Sequence, residues 1–386
     1  MTVDRDHMRP AEGGLDRPTA PHRTRMERFW RLFQKNRMAV IGMTIFILFF
    51  LTALAGLVLT SGADPIFDPA QIRLSEKLRP PFSRINPEVL TPAEVPTLPL
   101  YILGTDDLGR DVFARMLQGA WVSLTVGFVA VGISVIIGIF MGGIAGYFGQ
   151  RSIRLHQCLA AACAAAAAAV LAAGLGWLAV AFGGAAAALL LLAAADRRRR
   201  RPAVKSLSAG VITVDTVVMR VVDIMLCFPS FFLILTVVAL LPASLYNIMI
   251  VIGLTSWMGT TRFVRAEFLS LREQDFVLAA RALGVGNLRI IFRHMIPNAV
   301  APVLVSATIG IATAILTEAG LSFLGFGVPP PHATWGNILS DGRRFIFDAP
   351  WLTFVPGVAI LIVVLSFNLF GEGLRDALNP KLRSRT

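Results

Sequence analysis

Charge is scarce in this 386-residue chain: Asp, Glu, Lys and Arg make up only 16% of it, against 55% hydrophobic residues. That balance excludes an ordinary soluble domain, which could not bury so much apolar surface, and makes the bilayer the expected solvent. Cysteine is nearly absent. Cys158, Cys163 and Cys227 lie in or beside apolar runs without CxxC spacing, which excludes a disulfide framework and a zinc site and leaves small packing residues. No GxxxxGK[ST] phosphate loop occurs, so the chain cannot hydrolyse ATP by that route. The absence of HExxH, of a catalytic triad and of paired intramembrane carboxylates argues against a membrane enzyme or an exporter component.

What is abundant is long uncharged sequence. A helix needs about 20 apolar residues to cross roughly 30 Å of hydrocarbon. Met38 to Thr60 meets this and is too long for a signal-peptide core, so it is expected to stay as an anchor. Trp121 to Tyr147 is the second expected span. No charge occurs between Asp223 and Arg262, but Leu241-Pro242 and Asn247 interrupt the stretch, which predicts two spans, Ile224 to Leu241 and Leu245 to Thr261, joined by a tight turn. Ala299 to Leu321 and Trp351 to Phe370 complete six. The fold class is therefore all-α integral membrane, with six core transmembrane helices.

Six spans place both termini on one side, and that side carries 28 of the 36 Lys and Arg residues. The positive-inside rule makes it the cytoplasm. The net charge of +12 is thus topological, and no nucleic-acid partner is expected.

The expected organisation is a basic arm with an amphipathic lead-in at Phe29-Trp30 and Leu32-Phe33 (1–37), the first span (38–60), a proline-rich extracytoplasmic segment (61–115) and the second span region (116–149). Residues 150–213 then hold an inserted Ala-rich hairpin and basic linker, and 214–380 the core with a cytoplasmic loop at 267–298. The arm to about residue 25 is rich in Arg, Pro and Gly and is expected to be disordered. Gln157 to Ala195, broken at Gly174 to Trp177, is long enough for two crossings; a cytoplasmic helix pair or a peripheral insertion is the alternative.

The cytoplasmic loop carries the strongest pattern. Ala279, Ala280 and Leu283 fall on one side of a short helix, where small side chains permit close approach to a groove on another protein. Glu273 and Arg281 form its polar edges. Gly284 can take the left-handed conformation that ends the helix. A second short helix is expected at Leu288 to Phe292, with Pro297 fixing a turn before the next span.

At these residues the chain resembles the ABC importer permease family, whose hallmark is Glu-Ala-Ala, three residues, Gly, nine residues, then Ile-x-Leu-Pro. Ala279-Ala280, Gly284 and Pro297 match in register, while Leu278 replaces Glu, His294 replaces Ile and Ile296 replaces Leu. The string AARALG followed by RIIFRHMIPN is similar to the dipeptide/oligopeptide/nickel branch, in its second-permease or C-type form. Further support comes from Leu103 to Asp111, Met219 to Asp223 with Phe228-Pro229, and Glu318 to Gly325. The resemblance covers about 26–149 and 214–380, and the interval between looks inserted where the family has a short turn.

The resemblance implies a permease subunit in the bacterial cytoplasmic (inner) membrane that forms half of a pathway for peptides or a similar small solute, nickel complexes included. It implies as partners a second permease, two ATPases that bind ATP and Mg, an extracytoplasmic solute-binding protein and membrane lipid. No cofactor is expected on this chain. The loop is then a transmission, with no catalytic residues.

Two acidic residues sit in or beside spans, where charge is costly. Asp223 lies three residues from Arg220, which favours a local ion pair over a substrate contact in the pathway; Glu318 caps or pairs within the bundle, or lines the pathway. In a rival reading, an ion-gradient-driven secondary transporter, both would be coupling carboxylates. The string holding Gly104, Asp106, Gly109, Arg110 and Asp111 lacks the later Glu of a calcium loop, so a structural turn or a docking surface is favoured over a metal site. His294 and His332 are expected to be structural or surface residues.

Overall fold

A computed structural model describes residues 25–62, 65–92, 94–150, 152–153 and 212–378, with isolated positions at 163, 184, 187 and 188. The expected disordered arm and the Gln157 to Ala195 hairpin lie outside the described residues, isolated positions aside. Helices dominate: α1 (Arg25–Lys35), α2 (Arg37–Thr60), α3 (Val112–Phe148), α4 (Val214–Cys227), α5 (Ser230–Leu240), α6 (Leu245–Arg272), α7 (Asp275–Ala282), α8 (Asn287–Ile290), α9 (Ile296–Phe323), α10 (Trp335–Gly342) and α11 (Trp351–Leu378). Strand is confined, among the described residues, to two-residue antiparallel pairs, β1 (Ser83–Arg84) with β2 (Leu100–Tyr101) and β3 (Ser152–Ile153) with β4 (Ile212–Thr213).

Among the described residues α2, α3, the stretch Asn287–Phe323 and α11 are long and apolar enough to cross a membrane. The first span agrees with expectation, but the second starts earlier, at Val112, because Asp111 caps it by accepting from the Phe113 N–H at 2.9 Å. At 1.5 Å per residue its 37 residues reach about 55 Å, well beyond the hydrocarbon. The third expected span is not one helix. α4 and α5 meet at an 80° bend, since Pro229 cannot continue a helical ladder and Phe228 before it is extended. α6 runs 28 residues, past the expected Thr261 to Arg272, and its second half carries Arg262, Arg265, Glu267 and Arg272.

α3 and α6 pack closely because α3 presents Gly138, Gly142 and Gly146 at four-residue spacing. A Cβ at these positions would meet Thr260 Cβ at 2.6 Å, the Thr261 carbonyl at 2.6 Å and Phe268 Cβ at 2.5 Å. Small residues spaced this way let helix backbones approach where lipid supplies no hydrophobic drive. The main core joins Val126, Ile248, Ile252, Ile315 and Phe367. A second cluster, with Phe268, Val277, Ile290 and Met295, sits under the loop between α6 and α9. α1 is held by Phe33, buried against Ala39, Ala377 and Phe370.

The proline-rich segment is irregular and tied down by backbone bonds: Leu78 N–H to Asp106 O at 2.9 Å, Phe82 N–H to Tyr101 O at 2.7 Å and Arg73 N–H to Leu108 O at 3.0 Å.

Candidate functional site

The loop from Glu273 to Pro297 is built on α7, whose one-sided pattern divides on folding. Val277 and Ala280 turn inward to Tyr147, Phe268 and Met295, Ala280 being only 7% exposed. Ala279 is exposed and Leu283 stands 83% exposed. Ala280 therefore roots the helix and does not face a partner, which corrects the expected three-residue face. The reason is geometric: α7 lies on the bundle, and Ala280 shares the side of Val277, one turn away.

Gly284 takes φ +72, the left-handed end that the pattern predicts. The Gly284 N–H reaches Arg281 O at 2.9 Å and the Val285 N–H reaches Ala280 O at 3.0 Å, which is a Schellman closure. Val285 packs against the cluster under the loop, so the turn is fixed on both sides.

Beyond Gly284 the expected second helix forms but does not stop, and the expected proline turn is replaced by one continuous rise into the membrane. α8 passes into a π-helical turn, Ile291–Met295, and then into α9 with Pro297 in its first turn. Pro297 has no N–H to donate within this continuous run, and the wider turn, with the Ile296 N–H bonded to Ile291 O, keeps the chain helical up to it.

Tyr147 at the end of α3 joins these pieces, and sequence reading gave it no role. Its hydroxyl donates to Asn287 Oδ1 at 2.7 Å, and the Arg281 guanidinium lies 4.9 Å from its ring centroid. Arg272, Glu273, Arg281 and Asn287 surround it around a cavity of about 320 Å³. Glu273 is exposed and pairs with Arg272 at 3.0 Å.

Asp223 keeps the expected ion pair with Arg220 and gains a closer one from another helix. Arg220 is 4.0 Å away, while Arg262 on α6 reaches it at 2.7 Å. Asp215, at the start of α4, pairs with Arg265, so two carboxylates brace α4 against α6. Glu318 is fully buried and accepts from Ser123 Oγ at 3.2 Å and Ser322 Oγ at 2.6 Å. It links α3 to α9.

At the opposite end of the bundle, Asp106 organises the Gly104 to Asp111 string. It accepts from the Leu108 and Arg110 N–H groups at 2.9 Å each, from Arg110 Nε at 2.7 Å and from Arg115 Nη1 at 2.5 Å. Arg110 and Arg115 also reach Asp341 on α10 at 3.1 and 3.0 Å. Gly109 is required twice over: φ is +73, and a Cβ would fall 1.8 Å from Arg73 O. Gly104 has φ +79, with its would-be Cβ 2.5 Å from Arg79 O. Burial pushes the Asp111 carboxyl above the usual range, opposed by the Phe113 N–H. Burial, Asp106 and Asp341 do the same to Asp107. Donors saturate Asp106, so the string is a turn that seats the segment against α3 and α10.

Two family models match the sequence: the N-terminal transmembrane domain of oligopeptide transport permease C over residues 24–81, and the binding-protein-dependent transport system inner membrane component over residues 206–384. A dipeptide transport system permease of Alkalihalophilus pseudofirmus is 36% identical over 92% of this chain and 90% of its own length. The chain belongs to the peptide-permease family of ABC importers. The dipeptide permease of Haemophilus influenzae is 33% identical over 94% of this permease and 96% of its own length, and the oligopeptide permease of Bacillus subtilis 32% identical over 91% and 88%. The permease is thus the C-type transport subunit of an ABC importer for peptides, a multi-pass inner-membrane protein and not an enzyme; ATP is hydrolysed by separate subunits. That assignment removes the ion-gradient reading.

Proposed function

We propose that this permease receives the work of ATP hydrolysis through the tip of α7, where Ala279 and Leu283 dock into a partner ATPase while Val277 and Ala280 root the helix. The observation that carries this reading is Leu283, 83% exposed on a rigid, capped turn. A large apolar side chain held out in this way fits a groove on another protein. Glu273 flanks the tip, and Pro297 lies where motion of the loop enters α9 as a rigid rise. Motion of α7 would pass to α3 through Tyr147, opening the pathway alternately to each side.

The loop and both termini lie in the cytoplasm on this reading, a side supported by the concentration of Lys and Arg there. The assembly has a second permease, two ATPases that bind ATP and Mg, and a solute-binding protein that meets the Gly104 to Asp111 end. The solute is a short peptide.

Cysteine cross-linking tests the docking. In a background without the three native cysteines, Leu283→Cys is expected to cross-link to an ATPase subunit in membranes of the assembled importer. A cross-link from Ser340→Cys at the other end, with none from Leu283→Cys, would overturn the assignment.

A further inference from the structure

Midway through the bundle, α3, α6 and α9 leave between them a cavity of about 250 Å³. Ser134, on its wall, lies 13 residues from each end of the uncharged run Trp121 to Tyr147, which at 1.5 Å per residue puts the cavity about 20 Å from either end, near the middle of the hydrocarbon. Six hydroxyl side chains line it. Four return to a carbonyl of their own helix: Ser256 to Ile252 at 2.6 Å, Ser306 to Val303 at 3.0 Å, Thr313 to Ile309 at 3.1 Å and Thr317 to Thr313 at 2.8 Å. A hydroxyl without water ordinarily settles its bonding this way. Ser134 and Thr260 do not.

Neither of these two hydroxyls has a hydrogen-bond partner among the described residues, although Ser134 is only 4% exposed. Thr261 Oγ1, unpartnered too, is sealed within the protein, whereas Ser134 Oγ keeps a face open to the cavity. Thr260 packs its Cγ2 against α3 at Gly138, where a Cβ would come within 2.6 Å of it, so the methyl makes the helix contact and the hydroxyl is left over. Gly259 keeps the space clear, since a Cβ there would meet nothing within 4 Å.

Lipid does not fit this lining. Where helices of this bundle meet lipid they carry large apolar side chains, as Leu48, Leu51 and Leu54 on α2 and Leu361 and Leu365 on α11 do, each half exposed or more. An acyl chain offers Ser134 and Thr260 nothing to bond. A peptide offers a donor and an acceptor on nearly every residue, and a hydroxyl can serve either. No charged side chain lines the cavity among the described residues, so it supplies no counter-ion for a terminus or a charged side chain. What it suits is the neutral amide unit that all peptides share.

We propose that this cavity is a station within the membrane where the peptide in transit is held by its backbone, with the Ser134 and Thr260 hydroxyls bonding its amide groups. The inference rests on the solute proposed above, a short peptide. Contact through the backbone makes the station indifferent to peptide sequence.

The test uses the full importer in proteoliposomes, with the native cysteines replaced, saturating loaded binding protein, and dialanine and tetraalanine as probes. Ser134→Ala and Thr260→Val each remove one hydroxyl with little change of shape. Each should lower uptake of both peptides about fivefold, the size of one hydrogen bond, and the double variant about twentyfold, with co-purification of the second permease unchanged. Gly259→Cys should react with a charged methanethiosulfonate from water, and the reaction should stop uptake. Wild-type uptake in the double variant would overturn the proposal. So would a loss of pairing in step with uptake, which would assign the hydroxyls to the second permease. An unreactive Gly259→Cys in a transporting importer would show the cavity sealed and refute the station even if the hydroxyl variants fail to assemble. A wild-type importer that moves neither peptide would sink the choice of solute and this proposal with it, whereas failure in the variants alone leaves that choice standing.

Discussion

Tyr101 is wholly buried, and its hydroxyl has no hydrogen-bond partner among the described residues. Burial pushes this phenol up to about 12 from the ordinary 10.0. The neutral form is the one the fold accepts, so its contribution is complete below pH 10 and is lost as the pH rises through about 12. Only three tyrosines occur in the chain. A spectrophotometric titration of tyrosinate should therefore show a component with a midpoint near 12 that Tyr101→Phe removes. The same variant leaves no orphan hydroxyl and should change stability by less than about 1 kcal/mol, with stabilising sign. Loss of the segment's structure in Tyr101→Phe would show that the hydroxyl has a role. At this scale the sequence was legible only in part. Gly109 and Gly284 were readable because glycine permits left-handed backbone. The partners of Arg115 and Asp106 were not, since Asp341 lies 226 residues from Arg115 and only packing of α3 on α10 brings them together.

Between elements, the junction of α3, α7 and α8 is where the proposed coupling would pass motion from loop to membrane. Tyr147→Phe keeps the ring under Arg281 and loses the bond to Asn287, whereas Tyr147→Leu loses both. Peptide taken up per ATP hydrolysed should fall by up to about fivefold in the first, the worth of one buried hydrogen bond, and further in the second. Equal ratios in all three proteins would show that Tyr147 only fills space. Spans with long uncharged runs could be read from composition because the bilayer demands them. The break at Phe228-Pro229 was signalled by proline and passed over in favour of continuous hydrophobicity. The glycine stripe from Gly138 to Gly146 was also present, in GIFMGGIAG, and marks the α6 contact. The inward turn of Ala280 was not legible, because a period of 3.6 gives faces without saying which face meets the bundle.

For the molecule as a whole, the interval between the two halves leaves and returns at one place. Ser152 pairs with Thr213 and Ile153 with Ile212, and the Asp215 N–H lies 3.4 Å from Gly149 O. Replacing residues 154–211 with a short turn should therefore leave the bundle intact and retain ATP-driven uptake; loss of assembly would give the interval a structural part. The central claim is that a transport pathway with no nucleotide site of its own is driven through an exposed leucine. Its most direct test is peptide uptake by the assembled importer carrying Leu283→Asp, with membrane insertion and pairing to the second permease measured on the same preparation. A charge at this exposed position touches nothing in the core and, on the proposed docking, would meet the partner's groove. Normal insertion and pairing are expected, with weakened ATPase binding and uptake reduced by at least about tenfold. Wild-type uptake in the inserted, paired variant would contradict the claim.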